Sequence, residues 1–175
     1  MPKIIENARG LLIGEAKRQI EEKGYDAVTI RSIARGCGLG LGTFYNYFKS
    51  KDVLIASFLL EDWKERIDRV EVFAKEDAEP LEVIRMTCEE LSQFIESNLS
   101  IFSSPVAIKS FNSTAATYHK VLRLQLAKPI KYACEGKNIE NAEFLSQFVA
   151  EAILSWTVAK KTYADLEPLL IKLLA

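Results

Sequence analysis

Side chains able to act as nucleophiles, general bases or metal ligands are few in this chain, and they are scattered. His119 is the single histidine and falls in a polar stretch expected to be exposed. The thiols Cys37, Cys88 and Cys134 stand about fifty residues apart, which suits neither a disulfide framework nor paired-thiol metal binding. No HExxH or GxSxG pattern occurs, so a hydrolytic or metal-assisted constellation lacks parts. The run GCGLGLGT puts glycines at 36, 38, 40 and 42, a composition that resembles a phosphate-cradling loop. It fails both nucleotide-loop templates: no strand precedes it, GxGxxG is not matched and no Gly-Lys-Ser/Thr follows. An enzyme is not expected, nor a metal or cofactor.

Non-covalent chemistry remains, and charge gives its first indication. The formal net charge is -1, but up to Lys51 nine bases face five acids, and the rest of the chain is acidic. Attraction for phosphate would therefore be local to the N-terminal third. Hydrophobic residues make up 49%, enough for a packed core. No apolar run approaches the ~20 residues a bilayer-spanning helix needs. The start carries charges throughout, unlike a secretory signal, so a cytoplasmic protein without membrane contact is expected.

The elements that must position any site are helical. Ile5, Ala8, Leu12, Ala16 and Ile20 recur every three or four residues, so a helix over about 4–23 is expected, closed by Gly24. Thr29 can cap a short helix carrying Ile30, Ile33, Ala34 and Cys37, Gly38 supplies a turn, and a second short helix spans about 40–47 with Phe44 and Phe48 four apart. Ser50 opens a long helix towards Phe73, followed by the polar loop KEDAEP, a candidate domain boundary. Beyond it, helices are expected over about 81–101, 105–111, 115–135, 139–162 and 165–174. The polar stretch NSTAAT separates the second from the third, and Pro129 should kink or break the third.

Two short helices joined by a glycine turn, between a supporting first helix and a long fourth one, describe a helix-turn-helix. The segment GYDAVTIRSIARGCGLGLGTFYNYFKSKDVL closely resembles the signature of the tetracycline-repressor (TetR) family through Gly24, Tyr25, Thr29, Ile33, Ala34, Gly38, Gly42, Thr43, Phe44, Tyr45, Tyr47, Phe48, Ser50, Lys51, Asp52 and Leu54. The resemblance covers roughly the first 55 residues; the remainder shares only helical character and compatible length. It implies an all-α protein with a helix-turn-helix DNA-binding domain over 1–50 and a helical effector-binding and dimerisation domain over 51–175.

On that resemblance, Thr29, Tyr47 and Lys51 offer a hydroxyl, a phenol and an ammonium to the phosphates of double-stranded operator DNA. Arg31, Leu41, Gly42, Thr43, Tyr45 and Asn46 fall at the major groove, with Arg31 able to address guanine, Asn46 adenine or a phosphate, and Leu41 and Thr43 thymine methyls. Ile30, Ile33, Ala34, Cys37, Leu39, Phe44 and Phe48 suit the seam beneath. Gly40 and Leu41 depart from the family's usual Ser and polar residue, which weakens capping of the recognition helix.

The resemblance further implies a homodimer through the last two helices, with Ala142, Leu145, Val149, Ala152, Ile153 and Trp156 as seam candidates. It also implies a small-molecule effector of unnamed class, with Met86, Phe94, Phe102, Phe111, Tyr118, Phe148 and Trp156 as candidate lining, and repression relieved by that effector. The competing expectation is a helical protein-protein adaptor without DNA binding.

Overall fold

The computed structural model describes residues 7–174, with the side chains of 111–119 and 158 outside the described set. Every regular element among the described residues is helical: α1 (Ala8–Lys23), α2 (Ile30–Gly36), α3 (Leu41–Tyr47), α4 (Lys51–Lys75), α5 (Pro80–Ser97), α6 (Leu99–Phe102), α7 (Pro105–Gly136), α8 (Ala142–Val158) and α9 (Tyr163–Leu174). The expected start of α1 near Ile4 lies outside the described residues; Asn7 caps the helix by accepting from the Gly10 amide at 3.3 Å.

Short-range chemistry explains the helix-turn-helix. The Thr29 hydroxyl accepts from the Ser32 amide while the Ser32 hydroxyl accepts from the Thr29 amide, both at 3.0 Å, so two amides at the start of α2 are satisfied reciprocally. At the other end Gly38 adopts φ 66°, a left-handed conformation that glycine takes without penalty, and the Leu39 amide reaches back to the Ala34 carbonyl at 2.8 Å. The chain then enters α3 through Gly40, which has no side chain to cap the helix.

Two compact units emerge. The first comprises Met1–Glu61 with Asn98–Ser113, the second Asp62–Ser97 with Thr114–Ala175. The core of the first contains Leu12, Ala16, Tyr25, Ile33, Phe44 and Phe48, and also Leu54, Ile55 and Phe58 of α4, Ile101 of α6 and Ala107 of α7. A single cut after residue 50 would strip those last five from a core they help to fill. The KEDAEP loop, expected as a boundary, instead lies inside the second unit.

In the second unit α5 packs against both α8 and α9. Trp63, 2% exposed, lies at 5.3 Å between ring centroids from Phe94 and donates its indole N–H to Gln125 Oε1 at 2.9 Å. Ala142, Leu145, Val149 and Ile153, expected at a dimer seam, are buried within the single chain. Ala152 and Trp156 are half-buried.

The helix expected over about 81–101 ends at Ser97 and gives way to the separate α6, and two breaks expected further on are absent. The segment from Pro105 to Gly136 is one helix of 32 residues, unbroken at NSTAAT and at Pro129. NSTAAT is polar, but it contains no glycine or proline and includes two alanines, the strongest helix former. A mid-helix proline costs about 3 kcal/mol. Leu126 and Ile130, which lie beside it and are fully buried, each contribute about 1.5–3 kcal/mol, together enough to match that cost.

Candidate nucleic-acid interface

The seam under the helix-turn-helix forms as expected. Ile33, Ala34, Leu39, Phe44 and Phe48 are buried in one cluster, with Ile30 and Cys37 partly buried against it. The Phe44 and Phe48 rings meet at 5.9 Å, one helical turn apart. A polar bracket ties α1 to α2: the buried Gln19 amide donates to Glu15 Oε1 at 2.7 Å and to the Ser32 carbonyl at 3.0 Å. Arg18 forks onto Glu15 at 2.6 and 2.9 Å, and these hydrogen bonds, with that from Gln19, pull the Glu15 carboxyl down to about 2.

Facing away from this seam, Thr29, Arg31, Leu41, Gly42, Tyr45, Asn46 and Tyr47 are all exposed, and Thr43 is half-buried. Within α3, helical spacing puts Leu41 and Tyr45 on one flank, Asn46 on the other and Gly42 between them, opposite the buried Phe44. The Thr29 hydroxyl accepts from Ser32 and keeps its own proton to donate outward. Arg35 and Lys49 are also exposed and bring further cations to the unit. Residue type alone could have raised both; the family pattern assigns them no role.

Lys51 is placed differently from a free rim cation. It is half-buried, donates to the Tyr25 carbonyl at 3.1 Å and sits 3.9 Å from the centroid of the Tyr25 ring. Burial pushes its pKa down, against the upward pull of the Asp52 and Asp26 carboxylates. The phenol of the fully buried Tyr25 bonds to Asp52, and burial followed by that bond holds its pKa well above the usual tyrosine range. Nearby, Ser104 donates to Asp26 at 2.6 Å and caps the Ala107 amide at 3.1 Å, fastening the start of α7 to the corner between α1 and α2.

The described residues among those expected to line an effector site divide between the two units. Met86 and Trp156 are half-buried in the second unit, and Phe94 is buried there against Trp63. Phe102 is exposed and belongs to the first unit. Phe148, 54% exposed, lies on the outer face of α8 rather than in an interior, because Leu145, Val149 and Ile153 take the inward face. The side chains of Phe111, Tyr118 and His119 lie outside the described residues.

Residues 12–58 match the family model described as bacterial regulatory proteins, tetR family. The fatty acid metabolism regulator protein of Bacillus subtilis is 36% identical over 67 residues, 38% of this chain and 34% of that protein. The matched segment spans about a third or less of the length of the curated relatives. Across nearly the whole chain the likeness is one of fold. A transcriptional regulator from Cytophaga hutchinsonii superposes with TM-score 0.64 at 20% identity, over 93% of this chain and 92% of that one. FadR from Bacillus subtilis, in complex with stearoyl-CoA, superposes with TM-score 0.53 at 21% identity, over 94% and 96%.

Proposed function

We propose that this chain, whose residues 12–58 match the model of the tetR family of bacterial regulatory proteins, is a homodimeric, DNA-binding transcription regulator of that family that leaves its operator when a small molecule binds. The observation that carries this reading is the two-sidedness of the segment from Thr29 to Lys51. Its apolar residues close a seam, while Thr29, Arg31, Tyr45, Asn46 and Tyr47 stand exposed on the other side with Arg35 and Lys49 adding positive charge. A duplex supplies phosphates for that cationic, hydrogen-bonding face, whereas a helical adaptor would need a partner with an acidic surface there. In this reading residues 1–50 bind DNA, residues 51–175 bind the effector and dimerise, and the protein works in the cytoplasm. No helix among the described residues is long and apolar enough to cross a membrane.

A lone helix-turn-helix reads too few bases, so two heads must act together. The surface that supports a dimer is the outward stripe of α8, where Phe144 and Phe148 are 72% and 54% exposed and stack with centroids 6.5 Å apart. Leu169 and Leu173 of α9 add exposed leucines four residues apart. For the effector, the fatty-acid naming of one relative and the stearoyl-CoA held by one structural neighbour make a long-chain acyl-CoA the first compound to try.

Selection of bound fragments from a random pool of duplex DNA tests the reading. The expected result is a two-half-site sequence bound with an affinity that falls steeply as salt rises. A folded protein that enriches no sequence and binds no duplex at low salt would overturn it. Adding stearoyl-CoA to the selected complex then tests the effector class by release of DNA.

A further inference from the structure

Two residues between α1 and α2 do less for stability than their commonest replacements would. Gln19, 3% exposed, directs its amide N–H groups at Glu15 Oε1, at 2.7 Å, and at the Ser32 carbonyl, at 3.0 Å. Its own oxygen is left buried with no hydrogen-bond partner among the described residues. The amide cannot turn over to relieve this, because Oε1 would then face a carboxylate and a carbonyl, both acceptors. A methionine or leucine would fill similar space without stranding an acceptor. Gly36, the last residue of α2, is the second case. A β-carbon there would fall 2.0 Å from Glu15 Oε1, so the carboxylate occupies the place of a side chain. Alanine at 36 would strengthen the helix and evict that carboxylate.

Both features serve one arrangement. α2 packs on α1 through apolar residues, Ile33 and Ala34 sharing a cluster with Leu12 and Ala16. Apolar attraction has no direction, so a seven-residue helix held by it alone is free to rotate or slide by small amounts. Hydrogen bonds have direction. Gln19 pins the first turn of α2 at the Ser32 carbonyl, and the Glu15 carboxylate, locked by the Arg18 fork at 2.6 and 2.9 Å, forms a stop against the last residue at Gly36. Ser32 in turn exchanges hydrogen bonds with Thr29, and Arg31 stands exposed beside it. Fixing Ser32 therefore fixes where a hydroxyl and a guanidinium meet a duplex, and such groups work only when held within about 0.5 Å of their partners.

We infer that Gln19 and Glu15, neither of which faces DNA, are positioning residues that set α2 on α1 for sequence-specific binding. The inference rests on the reading of this chain as a duplex-binding regulator. Its test compares the full-length wild-type protein with Gln19→Met and Gly36→Ala in three measurements: affinity for the selected operator, affinity for a random duplex of equal length, and melting temperature. Gln19→Met keeps an unbranched side chain of similar size and removes both hydrogen bonds together with the stranded oxygen. It should melt no lower than the wild-type protein yet bind the operator about tenfold more weakly, comparable with one mismatched base pair. Its affinity for the random duplex should not change, because that binding follows charge and no charge has been altered. Gly36→Ala displaces the Glu15 carboxylate with a surface methyl and leaves every buried side chain in place, so it should show the same selective loss without a lower melting temperature. Wild-type affinity for the operator in either variant overturns the assignment. So does a loss shared equally by both duplexes or accompanied by a lower melting temperature, since either makes the bracket a feature of the fold alone. In each of those cases the wild-type protein still prefers its operator and the regulator reading stands; a wild-type protein that binds no duplex overturns that reading and the assignment with it.

Discussion

At Lys51 an ammonium expected to meet a phosphate is held against the face of Tyr25 and bonded to that residue's carbonyl. A cation over an aromatic ring contributes about 0.5–2 kcal/mol. Lys51→Ala should therefore lower the melting temperature of the protein as well as its DNA affinity, while Lys51→Met keeps an apolar stem over the Tyr25 ring and removes the charge together with the hydrogen bond to the Tyr25 carbonyl. If Lys51 also neutralises a phosphate, Lys51→Met flattens the slope of log affinity against log salt by about one unit, read from binding at a series of salt concentrations. An unchanged slope with a lowered melting temperature would leave Lys51 a structural residue. Glu15 gives a pH-dependent counterpart. Its carboxyl titrates at about 2 in the folded chain, below the ordinary value of 4.5. The contribution of its ionised form to stability is thus complete above pH 4.5 and is lost as pH falls towards 2. Glu15→Gln should cost about 1 kcal/mol near neutral pH and show a shallower loss of stability between pH 5 and pH 2, measured by urea unfolding.

Among the elements, α3 is the least secured by its own sequence. Gly40 stands at its N-cap position with φ −75° and ψ 154°, an extended conformation open to any residue, and a β-carbon there would meet nothing within 4 Å. Gly40→Ser supplies the missing side-chain acceptor and narrows the unfolded ensemble. A gain of about 0.5–1 kcal/mol is expected, with slower hydrogen exchange at the amides of Gly42 and Thr43. No change in either would show that tertiary packing of Phe44 already fixes the helix start. The weak cap was legible from the glycine spacing, as were α2, its Thr29 cap and the turn at Gly38, because each depends on residues no more than five positions apart. The continuity of α7 was not legible. A polar run and a proline are local signals for a break, and they carry no information on the burial of Leu126 and Ile130 beside that proline. The inclusion of Ile101, Ala107 and Ser104 in the N-terminal core was hidden for the same reason: Ser104 meets Asp26 across 78 positions, and no periodicity encodes that pairing.

For the whole molecule, the choice of dimer surface turns on which face of α8 the single chain already uses. Both faces carry apolar residues at helical spacing; the family resemblance made Ala142, Leu145, Val149 and Ile153 candidates for the seam, with an intrachain core as the alternative, and all four are buried within the single chain. Left outside is the stripe Phe144, Phe148, Glu151 and Ser155, in which two phenylalanines in water are costly unless another surface covers them. Phe148→Glu places a carboxylate in that stripe one turn from Glu151 and should convert a dimer into a monomer in analytical ultracentrifugation. Its effect on DNA binding separates assembly from recognition. A dimer gains avidity of about a hundredfold or more from its second head, so the variant should lose that much affinity for a two-half-site operator while binding an isolated half-site as the wild-type protein does. An equal loss on both duplexes would mean that the substitution had disturbed the head itself, and a variant that stays dimeric would move the interface away from the outer face of α8.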